Sequence, residues 1–351
     1  MELKEVAERV EKWLKKGEKN FPYKIDFFLT ERCNLKCIFC NYPKIGRDRI
    51  ENELTEDELK KIVNFAGKNG TKIVGILGGE PFCRKDILLK IMKLVKGYGM
   101  EGSIVTNGTL IDEEDVKKIV EMEWDLIRFS IDGLEATHDF LRGKKGCFQK
   151  ILRTIETFRK FKKIYKKSSP SIQINFVLNN RNYQELPAVV ELAEKLGCDF
   201  VYVLPMLELT EECKPLKIRR DEEEDVRTYL ETAAEIANEL GIGTNAKDLI
   251  FERNVRAENV RENILKKGGI PCFLPWYTMN IDAVGNVTPC CNLSPFPHEN
   301  LRERSLEEIW FGTYFEKMRE AMKTGTLPNE CSRCCMPLFD ENETLRKLID
   351  V

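Results

Sequence analysis

Histidine is almost missing from this sequence: its 351 residues contain two, His138 and His298. A metal centre built on imidazole is excluded, so metal chemistry here has to run on sulfur ligands, which suit iron–sulfur clusters or zinc. Neither histidine belongs to a motif, and both read as structural. No apolar run is long enough to span a bilayer. Nor is there an excess of charge of one sign. With 56 Lys and Arg against 58 Asp and Glu, nothing in the balance points to a nucleic acid or an anionic membrane as partner. The opening MELKEVAERVEKWLKKGEKN lacks the apolar core of a secretory signal and reads as a charged amphipathic helix, which predicts a cytoplasmic protein.

Cysteine, in contrast, is abundant, at 13 residues. In a reducing compartment, clustered cysteines read as metal ligands before disulfides. The length suits one large domain and a smaller one. Six short apolar runs, each followed by a helical pattern, start at Tyr23, Lys72, Ser103, Leu126, Ser171 and Asp199. Thr55 and Glu58 form a candidate capping box for the first intervening helix. Six strand–helix alternations predict an α/β fold with a parallel sheet, either open and doubly wound or a partial barrel. After Met206 the pattern changes to an acidic connection, a long helix near Val226–Leu240, and a Gly/Pro/Cys-rich region from Gly268 that contains one helix, SLEEIWFGTYFEKMREAM. The expected divisions are an N-terminal helix (1–22), a barrel (23–210), a helical connection (211–267) and a C-terminal cluster domain (268–351).

Cys33, Cys37 and Cys40 form Cys-x3-Cys-x2-Cys directly after the first strand, where βα architectures put their chemistry. Three thiolates on one loop hold three irons of a cubane and leave the fourth open to an exogenous ligand, whereas four-cysteine clusters are closed. The competing reading is a zinc site that borrows a distant fourth ligand, but zinc ligands usually come in paired sets.

The segment ERCNLKCIFCNYP, with Phe39 before the last cysteine, resembles the cluster loop of the radical S-adenosylmethionine (SAM) superfamily. The resemblance implies a [4Fe–4S] cluster on Cys33, Cys37 and Cys40, with SAM chelating the open iron. Reductive cleavage of SAM would then yield a 5′-deoxyadenosyl radical that takes a hydrogen from the substrate. The resemblance also implies a ferredoxin- or flavodoxin-type electron donor and a partial (β/α)6 TIM-like barrel over about Tyr23–Met206. Gly78-Gly79-Glu80-Pro81, after the second strand, resembles the family's GGE motif, which holds the methionine amino group. Ser130 and Asp132 in FSIDG resemble residues that contact ribose or carboxylate, and Arg142 resembles an arginine near the methionine carboxylate. Asn107 in TNGT reads instead as a turn former.

Cys272 and Cys290 flank WYTMNIDAVGNVTP, which reads as a β-hairpin turning at Val284-Gly285-Asn286 and so brings the two cysteines together. Cys331 and Cys334 add a Cys-x2-Cys pair. Four converging thiolates are a strong metal motif that zinc and [4Fe–4S] both accept. The layout Cys-x12-Gly-x4-Cys, a gap, then Cys-x2-Cys resembles the auxiliary-cluster domain of the SPASM and twitch subfamilies. With no cysteine after Cys335, the resemblance implies the shorter twitch form, with one auxiliary [4Fe–4S] cluster on Cys272, Cys290, Cys331 and Cys334. Cys291 and Cys335 adjoin these ligands and are either packed thiols, replacements for their neighbours or hydrogen donors. Cys83, Cys147, Cys198 and Cys213 read as isolated thiols.

A closed auxiliary cluster has no open iron for substrate, which favours electron transfer. The expected reaction is therefore oxidative: dehydrogenation or oxidative bond formation, with that cluster as electron acceptor. A peptide-modifying maturase is the first alternative, although such enzymes usually carry a leader-binding domain before the barrel and 22 residues precede the first strand here. The second is a redox-neutral epimerase with Cys291 or Cys335 as hydrogen donor. A non-catalytic metal scaffold does not account for the open loop, GGEP and FSIDG together. The substrate, a small molecule or a peptide, is not legible.

Overall fold

The computed structural model describes the chain except for residues 1–2, 43–46, 209, 250–263, 265, 267, 292–297, 329–330, 332–335 and 350–351; of 47–48 and 336–340 it describes the backbone alone. Each of the six apolar runs forms a strand: β1 Lys24–Phe28, β2 Ile73–Leu77, β3 Glu101–Thr106, β4 Leu126–Ser130, β5 Ser171–Leu178 and β6 Phe200–Pro205. They pair in parallel and in chain order. A sequential parallel sheet with right-handed crossovers carries its helices on one face. That outer face is the core: Ile127, Phe129, Ile172, Ile174, Val201 and Val203 are fully buried. The alternate residues, including Lys24, Asp26, Arg128, Gln173 and Tyr202, line the inner face.

The helices are α1 Leu3–Lys16, α2 Arg47–Glu51, α3 Glu56–Lys68, α4 Lys85–Gly97, α5 Glu113–Glu121, α6 Glu135–Arg142, α7 Cys147–Tyr165, α8 Leu186–Leu196 and α9 Glu223–Leu240. The Thr55–Glu58 capping box is present: the Thr55 amide donates to Glu58 Oε2 at 2.7 Å, and the Glu58 amide to Thr55 Oγ1 at 3.3 Å.

The C-terminal region contributes α10 Leu274–Tyr277, β8 Thr278–Ile281, β9 Asn286–Thr288, β10 Glu299–Asn300, α11 Leu306–Trp310, α12 Thr313–Thr324 and α13 Met336–Leu348. The expected hairpin is β8–β9, antiparallel, turning through Gly285 at φ +91°. One helix was expected over SLEEIWFGTYFEKMREAM, but two form. The chain breaks at Gly312, where a Cβ would lie 2.2 Å from the Glu308 carbonyl oxygen.

Two pairings go beyond the sequence pattern. Strand β8 joins the free edge of β1 in parallel, so one sheet runs from the cluster domain into the barrel. A two-residue β7, Gly243–Thr244, follows α9 and extends the other edge beside β6. The order is β10-β9-β8-β1-β2-β3-β4-β5-β6-β7, and the sheet is open, with β10 and β7 as its unjoined edges. Arg319 of α12 fastens α1 to this region, stacking 4.4 Å over Trp13 and 4.7 Å over Trp310 and donating to the carbonyls of Pro275 and Trp310, both at 3.0 Å.

Candidate metal centres

The loop after β1 is held by three backbone hydrogen bonds to the end of β2 and the turn that follows it. The Leu29 amide donates to Leu77 O at 2.9 Å, the Gly79 amide to Thr30 O at 2.7 Å and the Glu80 amide to Arg32 O at 2.7 Å. The cluster loop thus continues the β1–β2 ladder beyond both strands. A Cβ on Gly78 would meet Thr30 O at 2.4 Å and one on Gly79 would meet Arg32 O at 2.3 Å. The two glycines are therefore needed for the close approach of backbone to backbone. Glu53 supports the same loop from outside the motifs, its Oε1 accepting from Thr30 Oγ1 at 2.6 Å and from the Glu31 amide at 2.9 Å.

Cys33, Cys37 and Cys40 are half-buried on this loop. The Leu35 amide points at Cys33 Sγ at 3.5 Å, the Cys40 amide donates to Cys37 O at 3.2 Å, and Arg142 Nη1 lies 3.8 Å from Cys37 Sγ. Burial pushes the Cys33 thiol up to about 12 and raises Cys40. Donors aimed at sulfur and a cation beside it are the surroundings that cluster thiolates use. Among the described residues no three His, Cys, Asp or Glu side chains converge as ligands of a single ion do. Thiolates of a cubane bind different irons and stand farther apart than the ligands of one ion, and three thiols on one short loop with an amide and a guanidinium beside them fit that donor set. Cys83, which read as an isolated thiol, lies within electrostatic reach of Cys33 and Glu80, and burial raises it to about 11.

Glu80 is 1 % exposed. Its carboxylate accepts from the Phe82 amide at 3.1 Å, Thr106 Oγ1 at 2.7 Å and the Asn107 amide at 2.7 Å, tying the end of β2 to the end of β3. Asn107 is a turn former, as expected: its Oδ1 accepts from the Thr109 amide at 2.9 Å. Ser130 ends β4 on the inner face. Asp132 and Arg142 are both buried and form an ion pair, and Asp132 Oδ1 accepts from the Val177 amide at 2.8 Å. Burial works against the charge on Arg142, but Asp132 and then Cys37 more than offset it and hold it protonated. His138 accepts from the Asp132 amide through Nδ1 at 3.1 Å; burial and Arg142 depress it to about 3, which keeps it neutral.

At the opposite end of the sheet, Thr278 Oγ1 donates to Pro289 O at 2.8 Å, which brings the segment before Cys290 beside the start of β8. Cys272 and Cys290 are half-buried, and both lie within electrostatic reach of Tyr277, whose hydroxyl donates to Glu341 Oε1 at 2.5 Å. Cys331 is half-buried and Cys291 is exposed. Cys334 and Cys335 lie outside the described residues. Because β8 runs parallel to β1, with Cys272 before β8 and Cys33 after β1, these two cysteines lie beyond opposite ends of the strand pair, with about 16 Å of strand between them.

A second set of supports joins the barrel to the hairpin. Arg49 donates to Glu31 through Nε at 2.8 Å and 3.0 Å and reaches Asp282 Oδ2 through Nη2 at 2.9 Å. Asp282 in turn shapes the hairpin turn, accepting from the amides of Val284 at 3.1 Å and Asn286 at 2.8 Å. Neither Arg49 nor Glu53 carries a motif signal; both act through the tertiary fold.

A sequential parallel α/β sheet with a three-thiol loop after β1 and a thiol-bearing hairpin paired to the same strand has the donor set of an iron–sulfur protein. The chain belongs to the radical SAM superfamily and carries a C-terminal SPASM-type iron–sulfur cluster-binding domain; the matches cover residues 27–193 and 272–335. The Fe-coproporphyrin III synthase of Methanosarcina barkeri is 34% identical over 167 residues, which is 48% of this chain and 40% of that protein, so the chain spans less than half the length of that relative. The AdoMet-dependent heme synthase of the same organism is 28% identical over 337 residues, 90% of this chain and 89% of that protein. Among solved structures, Streptococcus suis SuiB superposes with a TM-score of 0.69 at 19% identity, over 90% of this chain and 72% of that chain, which is a likeness of fold. The cofactors are accordingly a SAM-binding [4Fe–4S] cluster, auxiliary iron–sulfur and SAM. No helix among the described residues is long and apolar enough to cross a membrane.

Proposed function

We propose that the protein catalyses a net two-electron oxidation of a small molecule bound on the inner face of the sheet, with the auxiliary cluster as electron acceptor. Bound cluster and SAM supply the hydrogen-abstracting 5′-deoxyadenosyl radical. Cys33, Cys37 and Cys40 hold the first cluster, and Arg142 balances the charge beside Cys37. The rim formed by Gly78, Gly79, Glu80, Ser130 and Asp132 receives SAM. Cys272, Cys290, Cys331 and Cys334 hold the auxiliary cluster at the far end. Residues 23–210 serve as the catalytic barrel, 211–267 as a connection and 268–351 as the auxiliary domain. A cytoplasmic ferredoxin or flavodoxin supplies the reducing electron.

The observation that carries this reading is the parallel β1–β8 pairing. It puts Cys272, before β8, and Cys33, after β1, beyond opposite ends of one strand pair, and the reading assigns the substrate to the inner face between them. The similarity to a heme synthase over nine-tenths of the chain supports a small-molecule substrate. The test is anaerobic turnover with product mass analysis. A product lighter by two hydrogens, formed one per 5′-deoxyadenosine, supports the oxidation. A product of unchanged mass in ordinary water that gains one mass unit when turnover runs in heavy water would instead identify an epimerase using Cys291 or Cys335. A modified peptide would identify a maturase.

A further inference from the structure

Among the described residues, the strands carry two cations on the inner face, with different surroundings. Lys24 is paired with Asp26 at 2.9 Å, in space that Gly75 leaves open: a Cβ there would lie 2.0 Å from Asp26 Oδ1. Arg128, in the middle of β4, has no such partner. Among the described residues its guanidinium makes one hydrogen bond, from Nε to Gln173 Oε1 on β5 at 3.1 Å, and no carboxylate lies within ion-pair distance. That bond engages Nε and leaves both Nη groups without a protein partner among the described residues, as donors of the fork that matches a carboxylate.

A second observation lies beside it. Asn175, two residues along β5 from Gln173 and on the same face, is 9 % exposed, and its Oδ1 is buried without a hydrogen-bond partner. Its register neighbours are Ser130 on β4 and Tyr202 on β6. Buried polar atoms are nearly always satisfied, so an orphaned acceptor calls for an explanation, and an absent donor is a direct one. Burial lowers the pKa of Arg128, with Tyr202 and then Asp26 opposing, as expected for a cation kept from water without a close counter-charge.

We propose that the inner face of β4, β5 and β6 binds a small organic carboxylate. Its carboxylate is held by Arg128, with Gln173 fixing the guanidinium, and an N–H or O–H of the same molecule donates to Asn175 Oδ1. This rests on the reading that the substrate occupies the inner face. Arg128 lies two residues below Ser130, about 7 Å from the end of the strand, so the carboxylate end is anchored deep and the rest of the molecule points toward the first cluster loop.

The experiment uses the anaerobically reconstituted full chain and measures 5′-deoxyadenosine formation with the small-molecule filtrate of a cell extract, before and after its carboxylates are converted to methyl esters. The native filtrate is expected to raise the rate of wild-type enzyme above the filtrate-free background, and the esterified filtrate is not. Arg128→Gln should lose at least tenfold of the stimulation while keeping the background cleavage of SAM; Arg128→Lys should keep part of it; and Asn175→Leu should raise the filtrate concentration needed for half-stimulation. Equal stimulation by native and esterified filtrate, unchanged stimulation of Arg128→Gln, or a stimulant confined to the macromolecular retentate overturns the proposal. Should Arg128→Gln fail to fold, phenylglyoxal labelling of wild-type Arg128 decides: protection by native but not esterified filtrate supports the site, and equal labelling with both overturns it. Failure here with an oxidised product still formed leaves the oxidative function standing. A carboxylate-dependent product of unchanged mass overturns only the oxidation.

Discussion

Replacing Gly79 with alanine tests whether the cluster loop is positioned by backbone contact. The ideal Cβ would lie 2.3 Å from Arg32 O, 2.8 Å from Arg32 C and 3.0 Å from Glu31 O, all backbone atoms that no rotamer change can move aside. Restoring ordinary van der Waals separation requires a shift of about 1 Å between the loop and the end of β2. The bonds at risk are Gly79 amide to Thr30 O and Glu80 amide to Arg32 O, both 2.7 Å. Their loss costs about 1–3 kcal/mol in total, at roughly 0.5–1.5 kcal/mol per bond. The larger effect falls on the metal centre, because Arg32 precedes Cys33 by one residue and the thiols move with it. Gly79→Ala is expected to stay folded and to lose most of the iron and sulfide of the first cluster on anaerobic reconstitution, with 5′-deoxyadenosine formation falling in step. Gly97→Ala is the control, because nothing lies within 4 Å of its added Cβ. A Gly79→Ala protein with a full first cluster and wild-type cleavage of SAM would refute the argument.

Removing one member of the buried Asp132–Arg142 pair should be costly. Asp132→Leu leaves a buried guanidinium unpaired, at about 3–5 kcal/mol in denaturant unfolding. Adding Arg142→Met should recover part of that stability without restoring cleavage of SAM. Cys272→Ala is expected to lower bound iron from about eight to about four per chain while the electron paramagnetic resonance signal of the first cluster persists. Glu58 is held at about 2 by Arg302 first, against an ordinary value of 4.5, and the pair links α3 to the segment after β10. A depressed carboxylate contributes stability above its unfolded value and loses it as the pH falls from about 4.5 toward 2. Glu58→Gln should therefore flatten the acid limb of a stability–pH curve and leave the region above pH 5 with a small uniform loss, read by thermal unfolding across that range.

Local pattern carried most of the architecture. The six barrel strands, the Thr55 cap and the β8–β9 hairpin were legible because each is set by alternation, turn chemistry or capping within a dozen residues. The thiol-rich loop after β1 was legible for the same reason, since three cysteines on one short loop show in spacing alone. Gly312 was missed because a helical pattern runs across it and only the approach to Glu308 O reveals the break. The roles of Arg49, Glu53 and Asp282 had no local signature, for each is made by partners far away in the chain. What the sequence by itself determined is the family and its frame: a Cys-x3-Cys-x2-Cys loop after the first strand and a parallel α/β sheet. Only the tertiary structure decided that β8 pairs with β1, which puts Cys272 and Cys33 beyond opposite ends of one strand pair, and that Arg128 stands on the inner face with no carboxylate within ion-pair distance among the described residues. Strand neighbours distant in sequence are chosen by edge pairing and burial of the whole sheet, and no short window of residues contains that choice.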